Sequence, residues 1–103
     1  MSWADRAITE LQAGKIAVVI PHGNSMRPKV AGGARVTLEP VAVGDVVAGD
    51  IVLCRVKGNV YLHLAKATRG SGTDQTVLIG NNRGGTNGWT QAIYGRAVTV
   101  ENP

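Results

Sequence analysis

The segment His22–Gly23–Asn24–Ser25–Met26–Arg27–Pro28 concentrates the residues most able to do chemistry. It follows a β-branched run and contains a proline that suits the first turn of a helix. A serine hydroxyl placed there would sit beside outward-pointing backbone N–H groups, the donors that stabilise an oxyanion. By itself, a Gly-Asn-Ser run is ordinarily only a turn. The chain has two histidines, His22 and His63, and one cysteine, Cys54. One cysteine excludes an internal disulfide. Two imidazoles and one thiol fall short of an ordinary structural zinc set, so no metal or cofactor is implied. A lone histidine such as His63, in an apolar strand-like run, is ordinarily half-buried with a satisfied hydrogen bond. Cys54 lies in an apolar run and reads as a small packed hydrophobe.

These residues must be positioned by a single small core, because 103 residues suffice for one domain, residues 1–103. The 44% hydrophobic content is that of a globular chain, and 17% charged residues argue against disorder. With no Phe and only four other aromatics, the core is built from Val, Ile, Leu and Ala. Eleven basic and seven acidic residues give +4, but the basic residues are scattered from Arg6 to Arg96 without a run of three. That spread weighs against a nucleic-acid interface. No apolar run is long enough to span a membrane, and Asp5, Arg6 and Glu10 interrupt any signal-peptide pattern. The default address is the cytoplasm.

Residues 2–13 read as a helix, capped by Ser2 and stopped by Gly14, with Trp3, Ala7, Ile8 and Leu11 as its apolar stripe. It is expected to pack on the domain's own sheet, with a docking or membrane-surface helix as the alternative. Residues 15–100 form a β core. Short β-branched runs predict strands at 16–20, 35–38, 50–56, 60–66, 76–79 and 92–100, the last weakened by Gly95. The near-continuous apolar run at 50–56 predicts burial on both faces. Lys57–Gly58–Asn59 is a hairpin signal, and residues 70–72 and 80–88 read as loops. The expectation is a mostly β domain, a coiled antiparallel sheet bent at its glycines, with a short N-terminal helix.

Five short pieces follow one another in order: Gly23–Asn24–Ser25–Met26–Arg27–Pro28, Val47–Ala48–Gly49–Asp50–Ile51–Val52, Val60–Tyr61–Leu62–His63–Leu64, Gly80–Asn81–Asn82–Arg83 and Tyr94–Gly95–Arg96–Ala97–Val98. Together they resemble the serine peptidases of the LexA and signal-peptidase I superfamily, over residues 16–100. That resemblance implies a coiled, mostly antiparallel β fold. It also implies that Ser25 is the nucleophile and His63 the general base. LexA-type and bacterial signal peptidases carry lysine at the base position, whereas the endoplasmic-reticulum and archaeal type carries histidine, as here. A neutral imidazole can take a serine proton near neutral pH without deep burial. Lys66 is offset by three residues and points to the opposite strand face.

Where the family has Gly-Asp-Asn, this chain reads Gly80–Asn81–Asn82, so Asn81 or Asn82 would orient the imidazole without adding charge. Gly23 supplies no hydroxyl, so an oxyanion would rely on backbone N–H groups of Ser25 and Asn24. Asp50 reads as a strand-start residue. The substrate groove would be lined by Ile20, Met26 and Trp89, and an extended peptide would pair with the strand edge near residues 16–20. Trp89, in a glycine-flanked loop, could equally cap the core. Small side chains beside the scissile bond are implied by the family.

The family's DNA-binding arm and membrane anchor have no counterpart in the short segment before the first strand, so neither autorepression nor membrane processing is expected. The Ala13–Gly14 bond is of the type LexA-like proteins cut, which leaves self-cleavage open. Three readings follow. The first is a minimal serine peptidase with a Ser25–His63 dyad acting on a peptide or protein. The second is an inactive relative that binds a peptide or protein through the same groove. The third is a small basic β domain that binds nucleic acid. A homodimer or larger complex stays open.

Overall fold

A computed structural model describes residues 3–23 and 25–103. The expected capping residue Ser2 lies outside the described residues. The helix α1 spans Asp5–Gln12, entered through Ala4 with no side-chain cap. Its end is closed as expected: Gly14 N–H donates to Leu11 O and Lys15 N–H to Glu10 O, which satisfies two terminal carbonyls. The stripe divides. Ala7, Ile8 and Leu11 are buried against the sheet, while Trp3 is 47% exposed.

Seven strands follow: β1 (Ala17–Val19), β2 (Arg35–Pro40), β3 (Ile51–Val56), β4 (Asn59–Arg69), β5 (Thr76–Gly80), β6 (Thr86–Thr90) and β7 (Ile93–Glu101). They form one antiparallel sheet in the order β1-β2-β7-β3-β4-β5-β6. β3 and β4 are joined by the predicted hairpin, its two turn residues Lys57 and Gly58 at φ of 51° and 84°. The sheet curls until the β6–β7 corner returns to β3. Thr90 Oγ1 donates to Arg55 O, and Arg55 N–H donates to Ala92 O.

This curl makes two apolar clusters. One lies between α1 and the sheet and includes Ile8, Leu11, Val36, Leu38, Leu53 and Leu62; the other, inside the curl, includes Val52, Cys54, Val56, Val77 and Ile79. β3 therefore contributes alternate residues to both clusters, which is why its apolar run is nearly continuous. Gly95 has a reason beyond bending. A Cβ there would stand 2.7 Å from Glu39 O and 2.9 Å from a Leu11 methyl, so glycine lets α1 settle on β2 and β7.

Residues 80–88 are not all loop. Thr86–Thr90 forms β6 because the outer edge of β5 needs a partner for its backbone groups, and Thr and Trp suit a pleated surface. β4 likewise runs on to Arg69, drawn out by pairing with β5. After Ser25 there is no regular helix but a single i→i+4 turn, with Val30 N–H donating to Met26 O. Residues 25–29 are turns, with a cis Arg27–Pro28 peptide. Carbonyls that a helix would use internally are instead taken by distant asparagines. Ser25 O accepts Asn82 N–H, Arg27 O accepts Asn82 Nδ2 and Lys29 O accepts Asn102 Nδ2. Among the described residues no helix is long and apolar enough to cross a membrane.

Candidate active site

Ser25 stands on the loop between β1 and β2, and His63 on β4, 38 residues away in sequence. The fold brings Ser25 Oγ to 3.0 Å from His63 Nε2. On the other side of the ring, His63 Nδ1 is 2.7 Å from Asn87 Oδ1. An amide oxygen can only accept, so Nδ1 carries the proton and Nε2 presents a lone pair to the serine hydroxyl. Tyr61, two residues before His63 on the same strand face, stacks on the imidazole at 5.0 Å between ring centroids. Burial pushes the imidazole below its ordinary pKa of 6.5, and the Asn87 hydrogen bond pulls it partly back. A neutral base at neutral pH is the result.

The partner of His63 Nδ1 is Asn87, which the motif order did not indicate. Asn81 lies elsewhere in function: its Oδ1 accepts the N–H groups of Arg83 and Gly85 and closes the β5–β6 hairpin. Asn82 points to the serine loop rather than to the imidazole, through the two bonds to Ser25 O and Arg27 O. Asn87 reaches His63 because β6 bulges. Ile79 pairs with Gly88 and Gly80 with Thr86, which leaves Asn87 as the extra residue, aimed out of the ladder. Residues 80–88 read as a loop in sequence, where an asparagine is ordinary, so no local signal marks Asn87. Asn24 lies outside the described residues.

A cavity of about 270 Å³ opens beside the pair, lined by Pro21, Met26, Val30, Val60, Leu62 and Trp3 among others. Met26 is buried and serves as both core and wall. Ile20 and Trp89 do not line it. Ile20 is 50% exposed, one residue on from inward-facing Val19, and Trp89 lies under the Arg69 guanidinium at 4.4 Å. Trp3 takes the place in the wall that was expected of them. Lys66 is the bulge residue of β4, and its side chain covers Gly80. Asp50 is structural: its Oδ2 accepts Val47 N–H and lies 3.7 Å from Arg96 Nη1. Cys54 is fully buried, its thiol pushed up to about 12 by burial. Among the described residues no cluster of His, Cys, Asp or Glu is placed to hold a metal ion.

Compared with known proteins, the chain matches no protein-family model and no curated protein sequence.

Proposed function

We propose that this protein is a serine peptidase domain of the LexA and signal-peptidase type, acting through a Ser25–His63 dyad oriented by Asn87. The observation that carries the reading is the aligned series Ser25 Oγ, His63 Nε2, His63 Nδ1, Asn87 Oδ1, with separations of 3.0 and 2.7 Å. Hydroxyl, neutral imidazole and acceptor stand in the order that a serine nucleophile requires.

In this mechanism Ser25 Oγ attacks a peptide carbonyl carbon while His63 Nε2 takes the hydroxyl proton. The Ser25 N–H meets the developing oxyanion. The C–N bond breaks as His63 returns the proton to the leaving amine, and water then releases the acyl group by the same exchange. Asn87 holds the tautomer throughout but adds no negative charge beside the imidazolium. The substrate strand has a place to pair. β1 is an edge strand, and β4 pairs with β5 only from Leu64 onward, so among the described residues Asn59–His63 has one edge without a ladder partner.

Labelling with a fluorophosphonate and turnover of a peptide library test the reading together. Wild type is expected to cleave, and Ser25→Ala and His63→Ala to lose at least about a thousandfold. Turnover no greater than that of Ser25→Ala at every pH tried would refute the peptidase. Peptide capture surviving in that variant would then leave a binding module.

A further inference from the structure

The basic residues that look scattered in sequence are not scattered around the site. Arg27 and Arg83 are 56 positions apart, yet they line one open depression of about 500 Å³ with Pro28, Ala31 and Asn102. Asn82 ties their two loops together, its side chain on Arg27 O and its backbone N–H on Ser25 O. Ala31 lines both this depression and the apolar cavity beside Ser25, so the two adjoin at that residue. None of the seven acidic residues lines either one. Among the described residues neither guanidinium has an acidic partner, and Glu101, next to Asn102 in sequence, is turned to Arg35 at 3.9 Å. Two arginines held on tied loops, with no internal counter-charge, offer forked donors to a carboxylate.

We infer that this depression is a subsite for a carboxylate of a bound peptide, an acidic side chain or a free C-terminus, one step along from the residue held in the apolar cavity. The inference rests on the peptide-binding reading of the site but not on turnover. A nucleic-acid backbone would meet the same charges, but an apolar cavity directly adjoining them fits a peptide side chain and not a phosphate chain.

The test uses the full chain with Ser25→Ala and fluorescein-labelled heptapeptide pools. In each pool one position is fixed as Glu or Gln, and each is made as free acid and as C-terminal amide. Anisotropy should show one Glu position, or the free acid, binding about tenfold tighter than its neutral counterpart. Arg27→Gln with Arg83→Gln should remove that preference while melting at the wild-type temperature, and added salt should weaken it. A Glu position marks a side chain as the source, and the free acid marks a terminus. Equal signals from charged and neutral pools, absence of binding included, would overturn the subsite, as would a single-stranded oligonucleotide binding more tightly than every peptide pool. Preferential binding without cleavage by wild type would retain the subsite and refute only the peptidase.

Discussion

Replacing Asn87 by aspartate puts a negative charge beside His63 where the fold has a neutral acceptor. A carboxylate hydrogen-bonded to Nδ1, as Asn87 now is at 2.7 Å, would stand roughly 4 Å from the centre of the imidazolium charge. At an effective permittivity of ~20 the attraction is ~4 kcal/mol, which corresponds to a rise of about 3 pKa units as an upper bound. His63 and Asn87 are only half-buried, so solvent screening reduces the expected rise to about one unit. Asn87→Ala acts in the opposite direction. It removes the hydrogen bond that raises the His63 pKa and leaves burial, which lowers it.

The assay needs no substrate. With His22→Gln so that one imidazole remains, nitrogen–proton NMR follows His63 as the pH is lowered. The order expected is Asn87→Ala lowest, wild type next and Asn87→Asp highest. The acid limb of fluorophosphonate labelling should shift in the same order, because only the neutral ring can take the Ser25 proton. Wild-type stability has a matching sign. The unfolded chain binds a proton near pH 6.5 while the folded imidazole resists it, so stability falls as pH drops from 6.5 toward the lower folded value. A His63 midpoint that fails to rise in a folded Asn87→Asp variant would refute the orienting role of Asn87.

Three other outcomes follow from the packing and hydrogen bonds. Asn82→Ala removes the side-chain donor to Arg27 O and should cost about 1 kcal/mol in denaturant unfolding. It should also slow Ser25 labelling while leaving the His63 midpoint in place; a shifted midpoint would show that Asn82 acts on the ring instead. Leu53→Ala opens a cavity at a fully buried β3 position between α1 and the sheet, and chemical denaturation should register a loss of about 2–5 kcal/mol. Cys54, with its thiol raised to about 12, should react with iodoacetamide only after unfolding, so mass spectrometry of the native protein should find it unmodified.

Much of this protein is local enough to be read along the chain. β-Branched runs mark six of the seven strands, because alternating or continuous burial leaves its period in the sequence. Lys57–Gly58 marks its hairpin, because few residue pairs tolerate positive φ in succession. The unbroken apolar run of β3 announces a strand covered on both faces. The five motifs pair Ser25 with His63 only through the family resemblance they carry, and the two side chains stand 3.0 Å apart.

What tertiary structure decided is what depends on residues far apart meeting. Asn87 reaches His63 only because β5 recruits β6 as a partner and β6 bulges by one residue, an event of pairing register that no local pattern encodes. Asn82 and Asn102 take the Ser25, Arg27 and Lys29 carbonyls around the single turn after Ser25, since a tied backbone group will accept from whatever donor the fold supplies. Gly95 looks like a weakness in a strand until Leu11 is seen standing against it. The same holds for charge: +4 spread along 103 residues suggests no target, yet the loops tied by Asn82 set Arg27 and Arg83 on the wall of one depression.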